Sequence, residues 1–269
     1  MRKGGSVTFT AVEIADGKTG RKRRGRRPEL LRVPVPEGSF FYLLRGAKRS
    51  DPQTLFRLAA RCAPVVVTAL PVPPGTGVRA FEPRAFPLGR AAAALCAILP
   101  QTRLPPQNLS VGVYDPDGAL CGGTQKLLPL ASDVRIVTRQ PERFDGDALL
   151  ARRRFGASLT VGTDETLLAR CHAVVCSAPD PAFRGVPVIL SCVPAQDAFF
   201  LLPVRLPENL ARLCPAGVPA DLFAAALAER CGVRTQRLYA CRGTGFGAEQ
   251  LDVCETASAW RMRINNNFA

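Results

Sequence analysis

Leu109-Ser110-Val111-Gly112-Val113-Tyr114-Asp115-Pro116-Asp117-Gly118-Ala119-Leu120-Cys121-Gly122-Gly123 is the stretch on which the reading of the fold turns. Its first six residues form an apolar run of the kind buried in a sheet on both faces. A sharp acidic turn containing glycine follows at once. The pattern then predicts a helix over 121–131, shortened or kinked by Pro129, whose ring removes a backbone donor. A strand over Val134–Thr138 comes next, then a helix over 145–155 with Asp145 as its cap. A strand Leu159–Gly162, a short helix 164–170 and strands Ala173–Ser177 and Val186–Cys192 complete the series. Strands alternating with helical stretches at this spacing specify an α/β fold: a wound, mostly parallel sheet with flanking helices.

Working outward, residues 1–105 read as a smaller mixed α/β region preceding that sheet, which leaves 106–269 as the main domain. Val7–Ile14 is β-branched and strand-like. Leu30–Val35 resumes strand character, with Pro34 and Pro36 placing it at an edge. Together these predict a hairpin whose long tip is 18–27. Phe40–Arg45 and Pro64–Leu70 are further strands. Asp51-Pro52 opens a helix to Cys62, and Gly89–Leu99 is an alanine-rich helix. Beyond Pro194, Ala220–Cys231 has amphipathic spacing and Gly232 at its end, Arg237–Cys241 is a last short strand, and the tail from Ile264 is expected to fray.

The chain has 269 residues and a formal charge of +14. Lys18, Arg21, Lys22, Arg23, Arg24, Arg26 and Arg27 supply half of that excess. Such a run suits a phosphate backbone, RNA or another acidic partner, although a solvated loop has the same composition. Arginine and alanine enrichment is also what a GC-rich genome produces. No apolar run is long enough to cross a bilayer, and the N-terminus lacks a secretory pattern, so a cytosolic chain without membrane association is expected. Ten cysteines occur without any Cys-x-x-Cys pair, and there is a single histidine, His172. Reduced, core-packed thiols fit this pattern better than zinc. No serine or cysteine has a His/Asp arrangement suited to nucleophilic catalysis. Gly243–Gly247 reads as a flexible loop.

The stretch 109–192, about a third of the chain, resembles the Rossmann-type nucleotide-binding domains in the manner of NADP-dependent reductases. The resemblance implies a nucleotide ligand, with NADP as the cofactor. Arg139, ending the second strand beside Thr138, then takes the place of a residue facing the adenine ribose, where a 2′-phosphate wants a guanidinium. Ala173–Pro179 looks like the fourth strand, which passes under the cofactor. The glycine fingerprint is altered, because its three glycines would fall on Asp115, Asp117 and Leu120. Gly118, Gly122 and Gly123 provide a shifted substitute. Two carboxylates repel a pyrophosphate, so the resemblance implies a nucleotide site that is altered or lost, and a role in binding or regulation more than in catalysis.

The same turn also resembles the first motif of the haloacid dehalogenase-like phosphatases, Asp-x-Asp-Gly-Thr-Leu, here Asp115-Pro116-Asp117-Gly118-Ala119-Leu120. That resemblance implies a Mg²⁺-dependent phosphohydrolase with Asp115 as nucleophile and Asp117 as acid/base. Thr138 would hold phosphate, and Asp164 would join Asp115 and Asp117 at the metal. The short Asp115–Thr138 interval, and the absence of lysine between Thr138 and Asp164, depart from that family. Asp, Pro and Gly are also what any tight turn uses.

Overall fold

The computed structural model describes residues 9–14, 28–35, 38–47, 50–176, 183, 185–191, 199–201, 204–234 and 253–268. In chain order the elements are β1 (Thr10–Ile14), β2 (Glu29–Pro34), β3 (Phe40–Gly46), α1 (Pro52–Ala60), β4 (Val65–Val67), β5 (Arg79–Ala80) and α2 (Ala85–Ile98). They continue with β6 (Ser110–Tyr114), β7 (Asp133–Val137), α3 (Asp145–Leu150), β8 (Ser158–Gly162), β9 (Ala173–Cys176) and β10 (Val188–Ser191). The last are β11 (Phe199–Phe200), α4 (Glu208–Ala211), α5 (Ala220–Cys231) and α6 (Val253–Phe268). Two compact units result. One comprises Met1–Pro83 with Pro203–Ala240, the other Arg84–Leu202 with Cys241–Ala269. Both are discontinuous in sequence, so a division at 105/106 does not reproduce them: α2 belongs with the second unit and α5 with the first.

The first unit is built on a sheet in the order β2-β3-β1-β4-β5. β2 runs antiparallel to β3, while β1 is parallel to both β3 and β4. The hairpin expected of the first two strands is therefore not formed, because β3 lies between them. The period of two in β1 and β3 separates the faces. Val12 and Leu44 pack with Leu55, Phe56 and Ala59 of α1. Phe9 and Phe41 stack at 5.0 Å, and Phe223 of α5 meets Phe41 edge-on at 5.5 Å. Asp51 caps α1 by accepting from the Thr54 N–H at 2.9 Å. The basic residues Lys18, Arg21, Lys22, Arg23, Arg24, Arg26 and Arg27 lie outside the described residues.

The second unit has a six-stranded sheet in the order β11-β10-β9-β6-β7-β8, every pair parallel. Counted within the unit and read from the β8 edge, that order is 3-2-1-4-5-6, the order of the doubly wound dinucleotide-binding sheet. β6 is central, and the chain's direction of winding reverses between β6 and β9. One face carries α2 and α6, with Leu88, Leu95, Ile98, Trp260 and Ile264 in a core shared with Val111, Val113 and Val175. On the other face Gly112 lets Leu168 and Val174 approach, since a Cβ there would stand 2.8 Å and 2.9 Å from them. The tail from Ile264 to Phe268 is helical and not frayed, with Trp260 and Ile264 buried in that core.

The helix expected over 121–131 is absent. Turns and one 3-10 turn, Thr124–Lys126, replace it. Gly118 and Gly122 adopt φ of +64° and +77°, outside the helical region. Helix 145–155 is only half α: α3 ends at Leu150 and passes into a π turn, Ala151–Phe155.

Candidate functional site

The carboxyl ends of β6 and β7 bring together most of the residues singled out from the sequence. Asp115 follows β6 and is 1% exposed. Its backbone N–H donates to the Val137 carbonyl at 2.9 Å, which fixes the turn against β7. Its carboxylate faces forward into the turn that follows. Oδ1 accepts the Ala119 N–H at 2.8 Å and Oδ2 the Leu120 N–H at 2.7 Å. Two half-buried donors are thus satisfied by one internal anion. A second carboxylate does the same further on: Asp147 of α3 accepts the Gly122 N–H at 2.9 Å and the Thr124 hydroxyl at 2.7 Å.

Asp117 points outward and is surrounded by guanidinium groups. Arg139 donates to it at 3.1 Å and also bonds the Pro116 carbonyl, while Arg84 stands 3.8 Å away. Arg143 donates to the Asp117 carbonyl oxygen at 3.0 Å and lies over Gly118, where a Cβ would meet its side chain at 3.2 Å. The Cys121 thiol donates to the Arg143 carbonyl at 2.8 Å. Thr138 is buried, its hydroxyl oxygen accepting the Gln140 N–H at 3.2 Å. Gly123 donates its N–H to the Leu120 carbonyl at 2.7 Å. Arg139 itself is 74% exposed.

Asp164 is elsewhere. It begins the turn after β8 and accepts the Thr166 N–H at 2.9 Å; bonds from Thr166 hold its carboxyl below the usual range. No group of three His, Cys, Asp or Glu side chains able to hold a metal ion occurs among the described residues. The Mg²⁺ set of Asp115, Asp117 and Asp164 is thereby corrected, and the phosphatase reading goes with it. The Asp115 carboxylate already serves two backbone donors and is shut away from solvent.

The residues present do not suit the usual dinucleotide mode. A pyrophosphate is normally held by backbone N–H groups of the first turn and by the N-terminus of the following helix. Here the Ala119, Leu120 and Gly122 N–H groups all donate to carboxylates, and no such helix follows. The sequence pointed to the turn and to Arg139. It did not point to Asp147, Arg143 or Arg84, because their partners lie 25, 26 and 33 positions away. Only the acidic first turn of α3 gave any local sign of Asp147.

No family model and no curated protein matches the chain. Solved structures give weak likenesses. An L-tryptophan dehydrogenase from Nostoc punctiforme matches at 12% identity, over 87% of this chain and 78% of that one, with a TM-score of 0.33. A quinate dehydrogenase from Corynebacterium glutamicum in complex with NAD matches at 14% over 98% of each chain, TM-score 0.30. A shikimate dehydrogenase in complex with NADP⁺ matches at 9% over 97% and 96%, TM-score 0.31. At such scores the fold rests on its own strand order. The chain is an α/β protein with a Rossmann-like parallel sheet.

At the opposite end of β6, His172 precedes β9 and its Nδ1 accepts the Ser110 N–H at 3.0 Å, with the Ser110 hydroxyl 2.8 Å away. Burial lowers the imidazole pKa below its ordinary value of 6.5. Burial pushes the Cys171 thiol up to about 12 and the Cys96 thiol to about 11, so both are inert at neutral pH. No described helix is long and apolar enough to cross a membrane.

Proposed function

We propose that the second unit is a nucleotide-binding type of sheet whose phosphate turn is closed on its own carboxylates, and that the chain serves in binding or regulation more than in redox catalysis. The observation that supports this is Asp115. It stands where the first glycine of the fingerprint would be and takes the two N–H groups a pyrophosphate would need. An incoming phosphate would have to displace a buried anion from two short, charge-assisted bonds. Any nucleotide that does bind would be held from outside, by the exposed Arg139, with Asp117 competing for the same guanidinium.

The test is a titration of NADPH and NADP⁺ into the wild-type protein and Arg139→Ala, followed by nicotinamide fluorescence and calorimetry. No saturable binding below millimolar cofactor is expected. Micromolar binding that is lost in Arg139→Ala would overturn the proposal and restore an intact NADP site. The nucleic-acid alternative rests on 18–27. Salt-dependent RNA binding abolished by deleting that segment would favour it.

A further inference from the structure

We infer that the β8 edge of the second unit, with the turn before it, is a docking surface for an acidic peptide in extended conformation. Four observations meet in 149–161. β8 ends its sheet and has one pairing edge towards β7, leaving the other without a partner strand among the described residues. The Ser158 N–H donates to the Ser132 carbonyl at 2.8 Å and the Thr138 N–H to the Gly162 carbonyl at 2.9 Å, so residues 158 and 162 face β7. By alternation the backbone groups of Leu159 and Val161 face outward. Exposed edges are ordinarily guarded by a charge, a proline or a bulge. Ser158-Leu159-Thr160-Val161-Gly162 has no charge and no proline.

The second observation is charge. Arg152, Arg153 and Arg154 are all exposed, and among the described residues none of them is paired with an acid. The third is apolar surface. Leu149 is 51% and Phe155 39% exposed, two of the four large apolar side chains so exposed among the described residues. The fourth is shape. The π turn Ala151–Phe155 and Gly156, at φ +61°, leave a hollow of about 370 Å³ lined by Ala148, Arg152, Gly156, Ala157, Ser158 and Leu159. π turns occur mainly as isolated features and often at functional sites.

A strand added to β8 would take the outward N–H and C=O groups of Leu159 and Val161. Its acidic side chains would meet the three arginines, and one apolar side chain would enter the hollow. Main-chain pairing supplies affinity and the pocket supplies selectivity, as in other β-augmentation. Charge complementarity selects an acidic peptide over a neutral one. The uncharged strand edge favours a peptide over a nucleic acid, which has no backbone donors and acceptors in strand register.

The experiment uses the full chain and a fluorescein-labelled peptide of ten residues alternating Asp and Val, followed by anisotropy at low salt. Saturable binding is expected, weakened at least tenfold in the Arg152→Gln/Arg153→Gln/Arg154→Gln variant. It should also weaken at least tenfold in Val161→Pro, which removes an outward donor at an edge that tolerates proline. Should Val161→Pro fail to fold, amide exchange in the wild type decides instead: the Leu159 and Val161 N–H groups should slow several-fold when the peptide is added. No saturation by millimolar peptide, unchanged affinity in the arginine variant, or unprotected Leu159 and Val161 amides overturns the proposal. So does equal or tighter binding of oligouridylate of the same length.

Discussion

Asp115 is the residue on which the two halves of its turn depend. Asp115→Ala leaves the half-buried Ala119 and Leu120 N–H groups without their acceptor, at a cost of about 2 kcal/mol. Chemical denaturation should show that loss as a lower midpoint with an unchanged slope, and Asp115→Asn should fall between the two proteins. His172 gives the pH dependence. As the neutral imidazole it accepts the Ser110 N–H, and as the cation it cannot. Its folded pKa lies below the ordinary 6.5, so the unfolded chain takes the proton first. Stability from this group is complete above about pH 6.5 and declines as the pH falls from there towards the folded pKa. Thermal melts between pH 8 and pH 5 should show that decline, and His172→Gln should flatten it. The Asp115 bonds are local, four and five residues on, but the Ser110–His172 bond spans 62 positions, and nothing in the sequence near Ser110 announces it.

At the scale of elements, periodicity and caps did most of the specifying. α5 runs from Ala220 to Cys231 as its spacing predicts, and Gly232 closes it with φ +70°. Gly232→Ala should cost about 1 kcal/mol, because only glycine enters that region freely. The stretch 121–131 shows the opposite case. Its apolar residues fit a helix, yet Gly122 takes a positive φ and gives its N–H to the Asp147 carboxylate. A capping carboxylate 25 positions away leaves no mark in a local pattern. β6 illustrates close approach: Gly112→Ala would put a methyl within 3 Å of Leu168 and Val174 and should cost about 1–3 kcal/mol. Comparing denaturation midpoints for the two alanine variants checks both figures.

For the whole molecule, the consequence of discontinuous units is that no single cut yields a complete core. A fragment 106–269 lacks α2 and with it Leu88, Ala91, Leu95 and Ile98 of the second unit's core. It should be expanded and bind a hydrophobic dye, with poor dispersion in its amide spectrum. A well-dispersed spectrum would show that α2 is dispensable. The sequence by itself determined the fold class, the strand-rich stretch 109–192 and the turn where attention belongs, because apolar period and turn chemistry are local properties of the chain. It also named Asp115, Asp117 and Arg139. Only the tertiary structure decided that β3 stands between β1 and β2, that the last helix reaches Phe268, and that Asp115 faces inward. Strand neighbours and buried hydrogen bonds join residues far apart in sequence, and which carboxylate meets which N–H is settled only when the sheet has formed.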